Sequence, residues 1–308
     1  MQAPSDLAAS DTSPGWTIWV LAAAAVWAAL SLKPTARILL EHRRLLKSFV
    51  VRDLKVRYVG SSIGFFWSVI FPFINLVVYM FVFRLILGVR WGGDTPPSQA
   101  ALYMLVGILV WTAFSETVIR ATSTLVDNAN LIKKVVFPSE VLPPFLTLSS
   151  LVNMSIGIPV VLVFLLALST EIEGPKFVFD AGRLGLPLIA LPLLIALQAV
   201  FTAGLGFFFA TLNVYLRDVS QIIGVGMTVW MFGTPIFYPF ELVQQKGYGW
   251  LIDPNPMFWL VEAYRDVMLK AAWPDWMMVL RFALVSLIVF ALGARLFQKN
   301  RQSFPDLL

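Results

Sequence analysis

The chain has no cysteine and a single histidine, His42. The first absence excludes a disulfide framework and thiolate chemistry, and the second argues against a histidine-based metal site. Charge is scarce too: Asp, Glu, Lys and Arg make up 13% of the 308 residues, against 58% hydrophobic residues and a mean hydropathy of +0.79. Soluble domains carry about twice that share of charge, so most of this chain has to sit in lipid. The G-x-x-x-x-G-K-[ST] phosphate loop is missing, which excludes ATP hydrolysis by that route. The net charge of +5 does not point to nucleic acid, because the cations fall where the positive-inside rule for membrane proteins puts them.

What the sequence does have is long apolar runs. Crossing about 30 Å of hydrocarbon takes about 20 mostly apolar residues, and six stretches qualify: 63–87, 101–122, 142–168, 186–212, 219–239 and 276–296. The expected fold is an all-α polytopic membrane protein with six core transmembrane helices within residues 61–297. A basic segment from Arg37 to Arg57 runs straight into the first of them, and such cations stay on the cytoplasmic side. Alternation from Gly60 then places Lys133, Lys134, Arg217, Lys299 and Arg301 inside, with the tail 298–308. Arg90, Lys176, Arg183, Lys246, Arg265 and Lys270 fall outside. Counting the basic segment, the cations lie mainly inside, which favours this orientation over its reverse. An N-terminal extension, 1–34, holds a shorter alanine-rich stretch, 16–32. It lacks the positive n-region of a signal peptide and reads either as an extra transmembrane helix or as a helix at the interface.

Residues 35–60 read as an amphipathic interfacial helix. Ile38, Leu39, Leu45, Leu46, Phe49, Val50 and Leu54 share one side of a helical wheel, and Arg37, Glu41, Arg44, Lys47, Arg52 and Lys55 the other. This is the pattern of a helix lying in the headgroup plane. His42, Arg43, Asp53 and Arg57 break the stripe. The polar face either meets anionic membrane lipids or docks a soluble partner.

Within the spans, Glu116 and Arg120 stand four apart, on one helical face, and are expected to form an intramembrane pair. Arg84 and Arg281 lie near outer span ends, where they can snorkel. Phe66, Trp67, Tyr79, Trp230, Phe237 and Tyr238 are candidates for a substrate channel, since rings offer apolar area with few polar commitments. Lipid-facing rings and interfacial belts are the plainer account. Asn255 before Pro256 is an N-cap with proline at the first helical position, opening a helix over 257–271. With Pro235 and Pro239 upstream, the fifth span is expected to break and return as re-entrant outer gate helices. Pro159, Pro187 and Pro192 are expected to kink their spans, and Gly204 and Gly206 to allow close helix packing.

Five stretches then occur in a telling order. They are Arg52-Asp53-Leu54-Lys55-Val56-Arg57-Tyr58 with Gly60-Ser61 and Gly64-Phe65-Phe66-Trp67-Ser68; Asn128-Ala129-Asn130-Leu131-Ile132-Lys133-Lys134-Val135-Val136-Phe137-Pro138; Tyr215-Leu216-Arg217-Asp218; Pro235-Ile236-Phe237-Tyr238-Pro239; and Asn255-Pro256 through Glu262-Ala263-Tyr264-Arg265. Each is weak alone. Together, from about Leu46 to the C-terminus, the chain resembles the permease subunits of ABC transporters that export O-antigen, capsular polysaccharide or teichoic acid, and residues 1–32 depart from that pattern. The resemblance implies a homodimer in the bacterial cytoplasmic membrane, moving a lipid-linked polysaccharide and driven by two copies of a separate ABC ATPase. ATP and Mg would then bind the ATPase, and no cofactor this chain. It also implies coupling residues at the inner face, Arg52, Lys55, Arg57, Asn130, Lys133, Lys134, Arg217 and Asp218, and an outer gate of Pro239, Asn255, Pro256, Glu262 and Arg265. Two other readings stay open: an ABC exporter of a drug or small lipid, and a membrane enzyme of lipid-linked sugar metabolism. The second is disfavoured, because no acidic cluster, histidine pair or metal-ligand spacing marks one membrane face.

Overall fold

The computed structural model describes residues 33–58, 97–134, 137–168 and 185–308, with isolated positions between 59 and 96. The stretch 16–32, most of the first predicted span and most of the connection after residue 168 lie outside the described residues. Nearly every described residue is helical, and no strand occurs among them. In chain order the helices are α1 (Arg43–Tyr58), α2 (Pro97–Asp127), α3 (Ala129–Lys134), α4 (Leu142–Leu168), α5 (Leu191–Tyr215), α6 (Val219–Phe232), α7 (Phe240–Gln245), α8 (Gly249–Ile252), α9 (Pro256–Met268), α10 (Trp276–Asn300) and α11 (Phe304–Leu307). Residues 33–41 are helical ahead of α1.

Four described stretches are long and apolar enough to cross a membrane: Ala100–Asp127, Ser139–Val163, Leu186–Tyr215 and Trp276–Leu307. They correspond to the second, third, fourth and sixth predicted spans. The fifth breaks, as Pro235 and Pro239 lead one to expect, but well before the end of the apolar run 219–239. Its helix, α6, stops at Phe232 after 14 residues, about 21 Å at the usual rise and short of the hydrocarbon thickness. Gly233 closes the last turn onto the Val229 carbonyl at 3.0 Å, and Pro235 has no N–H with which to continue the ladder. The predicted helix 257–271 also ends early, at Met268, and Ala271 has a φ of 48° that no right-handed helix accommodates. Pro187 sits in the first turn of its span, where the missing N–H would have had no partner, and Pro192 stands where the 3-10 turn Leu186–Ala190 passes into α5.

α2 is the most enclosed of the four long helices. It packs against α4 and α5 and also touches α6 and α9, while α10 runs along α5. The last contact is close because glycine faces glycine: a Cβ on Gly293 would lie 2.1 Å from the Gly204 carbonyl oxygen. Gly206 faces Ala121 and Pro143 instead. One apolar core gathers Trp111, Phe114, Phe201, Phe258 and Phe282, and a second gathers Phe49, Phe145, Phe207, Phe297 and Phe304. Between lipid-embedded helices these rings hold by close van der Waals packing rather than by leaving water.

α1 keeps to one flank of α4. Phe49 meets Phe145 with ring centroids 5.2 Å apart, Asp53 accepts from Ser149, and Tyr58 donates to Asn153. Both helices advance about one turn between contacts, so α1 runs parallel to the first half of α4 instead of crossing the end of the bundle. At the other terminus α10 continues to Asn300, and the tail turns back to bury Phe304 against Phe297 at 5.1 Å.

Candidate functional site

Two polar constructions stand out, one at each end of α2. At the end near α1, Asp53 and Arg57 stand one turn apart on α1, and Glu116 and Arg120 one turn apart on α2. The helices close them into a ring of alternating sign. Arg57 Nε donates to Asp53 Oδ2 at 3.2 Å, and its terminal nitrogens pair with Glu116. Arg120 Nη1 donates to Glu116 Oε1 at 3.3 Å, and Nη2 pairs with Asp53. Ser149 on α4 adds its hydroxyl to Asp53. The four side chains are between 12% and 34% exposed, so removing one partner leaves a poorly solvated charge, a loss of about 3–5 kcal/mol where burial is deep. Burial by itself raises the pKa of Asp53, but the hydrogen bonds and charges of Arg120, Ser149 and Arg57 outweigh it and hold the carboxyl below its ordinary value of 3.8. The predicted Glu116–Arg120 pair is therefore half of a larger assembly. Sequence reasoning missed Asp53 and Ser149 as members, although Asp53 and Arg57 had already broken the apolar stripe of α1.

The remaining inner-face candidates point outward. Arg52 is exposed with its guanidinium 4.5 Å from the Phe49 ring centroid. Lys55, Asn130, Lys133, Arg217 and Asp218 are exposed as well, whereas Arg57 turns into the ring. Lys134 ends α3, and its side chain lies outside the described residues. Behind this surface, α11 packs on α3, Arg301 pairs with the buried Glu140, and Gln298 Nε2 donates to Thr35 Oγ1 at 2.9 Å. The C-terminal tail thus backs α3, the helix that carries Asn130 and Lys133.

At the opposite end of α2, two side chains hold the non-helical chain after α6. Asn255 caps α9: its Oδ1 accepts from Met257 N and from Trp230 Nε1, both at 3.0 Å. Its Nδ2 donates to the Gly233 carbonyl at 3.2 Å and to Thr234 Oγ1 at 2.9 Å. Arg265, one of the largest fully buried side chains, donates to the carbonyls of Tyr103 (3.2 Å), Pro235 (2.9 Å) and Ile236 (3.1 Å) and to Glu262 (2.6 Å). Gly107 permits this approach, since a Cβ there would meet Arg265 Nη2 at 3.1 Å and Ile236 Cγ2 at 3.0 Å. Tyr238 closes the account by donating to the Phe232 carbonyl at 2.6 Å. Pro239 sits at the N-cap of α7, beyond the break rather than in it. The predicted gate residues Asn255, Pro256, Glu262 and Arg265 are thus brought together around residues 233–238.

The aromatic channel candidates divide. Trp230 stands edge-on to Trp111, Phe114 and Phe201, with centroids 5.3–6.4 Å apart. Phe237 is fully buried in this chain, and Phe66 is exposed. Trp67 and Tyr79 lie outside the described residues. Between α2 and α6 runs a groove of about 250 Å³ that Phe237, Met227, Thr112, Ser115 and Thr228 help to line. Thr112 donates its proton to the Ile108 carbonyl at 2.7 Å and Thr228 to the Gly224 carbonyl at 3.2 Å, so both hydroxyls present lone pairs to the groove. No charged side chain lines it among the described residues.

Comparison with known proteins adds to this geometry. Residues 44–269 match the family described as ABC-2 type transporter. Over 271 residues the chain is 30% identical to the O-antigen export system permease protein RfbA of Myxococcus xanthus, covering 88% of this chain and 97% of that protein. Two proteins of the same name from Klebsiella pneumoniae are 28% and 27% identical, each match covering 86% of this chain and 95% of the relative. The family match takes in the ring, the exposed inner-face residues and the whole outer construction around Asn255 and Arg265.

Proposed function

This chain belongs to the ABC-2 type transporter family, a multi-pass protein of the inner membrane, and from that premise we propose that it is the permease subunit of an exporter of lipid-linked, O-antigen-like polysaccharide. The observation that carries the proposal is the near full-length match to three permeases named for O-antigen export. The groove between α2 and α6 fits that cargo. It combines apolar surface with hydroxyl acceptors and has no lining charge, which suits sugar rings that bring O–H donors and C–H faces. The chain works as a homodimer with two copies of a separate cytoplasmic ATPase, which holds ATP and Mg. Lys55, Asn130, Lys133, Arg217 and Asp218 form the surface that the ATPase engages.

The test is reconstitution in vesicles. The chain alone should hydrolyse no ATP, and with its ATPase it should move lipid-linked polysaccharide only when ATP is supplied. Export that continues without the ATPase would overturn the proposal. Orientation is checked on single cysteines, which need no background removed: those at Lys133, Arg217 and Lys299 should react with an impermeant thiol reagent only from the cytoplasmic side, and one at Lys246 only from outside.

A further inference from the structure

The ring has a property that pairwise ion bridges lack. α1 and α2 run antiparallel across it, because Asp53 faces Arg120 while Arg57 faces Glu116. A slip of one turn, about 5.4 Å, in one direction sets Asp53 against Glu116 and Arg57 against Thr112. In the other direction it sets Arg57 against Arg120 and Asp53 against Thr124. Either slip opposes like charges and strands the others without partners, in surroundings where each carboxylate is at most 30% exposed. Bistable packing elsewhere works by one-turn jumps between registers of similar energy. Here both one-turn registers are penalised.

We infer that the Asp53–Arg57–Glu116–Arg120 ring is a register lock that makes α1 and α2 move as one body, so that a displacement delivered to α1 at the cytoplasmic face is carried by α2 without loss. The inference rests on the proposed transport function, since it takes a partner at that face to push. α2 has a destination for the movement: about 20 Å further along it, the Tyr103 carbonyl and Gly107 meet Arg265 and the broken chain at Pro235 and Ile236. The four charged residues are positioning residues in this account, and none of them touches the substrate. Asp53 and Ser149 add the third helix, α4, to the same body.

The experiment uses the full chain assembled with its ATPase in vesicles and measures polysaccharide exported per ATP hydrolysed. Arg120→Glu should lower that ratio by at least about tenfold while ATP hydrolysis continues. Inverting all four charges together (Asp53→Arg, Arg57→Asp, Glu116→Arg, Arg120→Glu) should bring it back, because every contact is remade with opposite sign. Restored assembly and thermal stability without a restored ratio would overturn the lock and leave the ring as packing only. The lack of native cysteine permits a second arm. Arg57→Cys with Glu116→Cys, bridged by a short bismaleimide, should export as well as or better than the unbridged pair, because the bridge replaces the lock. A bridge that stops export would mean that α1 and α2 change register during transport, and the inference falls. Failure of the functional reading would show separately, as absence of polysaccharide export by the unsubstituted complex.

Discussion

The outer construction and the inner ring both rest on arginine, yet they fix different things. Arg265 directs its fork at three backbone carbonyls and one carboxylate, substituting for the hydrogen bonds that α6 abandons at Gly233. Arg57 and Arg120 meet carboxylates and hold two intact helices in register. The first depends on the shape of the guanidinium, because the carbonyls lie on different elements and one ammonium cannot reach them all. The second depends on sign. Buried polar groups in a membrane protein therefore need not share one tolerance to substitution.

The largest expected effect breaks the comparison at its outer side. Arg265→Met leaves the Tyr103, Pro235 and Ile236 carbonyls without this donor and leaves Glu262 without its 2.6 Å partner. A loss of about 3–5 kcal/mol follows, read as a sharp fall in the unfolding temperature in detergent. Arg265→Lys should recover little of it. The same conservative change at the ring, Arg120→Lys, should cost only about 1–2 kcal/mol, since an ammonium still faces Asp53 and Glu116. Equal losses at the two positions would mean that shape matters as much at the ring as at the outer break.

The two regions also differed in how far the sequence announced them. Asn255 before Pro256 carries its own geometry, because an N-cap acceptor and a proline at the first helical position are local chemistry, and α9 begins where they put it. The long apolar runs were equally plain, as the match of α4 to 142–168 shows. The ring was half visible: i,i+4 spacing disclosed Glu116 with Arg120, and the broken stripe disclosed Asp53 and Arg57 as anomalies. That the two pairs meet is a fact of tertiary packing between residues 59 to 67 positions apart, which no local periodicity encodes. The early end of α6 had Pro235 as its signal, yet the apolar run 219–239 continued through it. Hydropathy counts residues and does not count carbonyls left without donors.

A smaller effect sharpens the outer side. Asn255→Ala removes the α9 cap, the acceptor for Trp230 and the donors to Gly233 and Thr234, for a cost of about 1–2 kcal/mol. Asn255→Asp keeps the acceptor and should cost less. Solute leak through vesicles should rise in the same order, Ala above Asp above native, while ATPase pull-down stays unchanged. Lost pull-down with unaltered leak would place Asn255 in assembly and not in closure of the outer end.

The smallest expected effect is at the ring, and it is a flat line. Asp53 is held below its ordinary value, with burial opposing the shift and Arg120, Ser149 and Arg57 driving it. A carboxylate whose folded pKa is depressed contributes stability that is complete above its unfolded value and is lost as the pH falls through the folded one. The seating of α1 on α2 and α4 should therefore not change between about pH 8 and pH 5, and should loosen only below about pH 4. A spin label at Lys47, on the exposed side of α1, reads this directly as constant mobility down to pH 5 and a rise beneath pH 4. In Arg120→Gln the hydrogen bond and charge that most lower Asp53 are gone, so burial gains weight and the transition should move to higher pH. A transition in the native chain well above pH 5 would break the comparison, because a depressed ring carboxylate could not then be what controls α1.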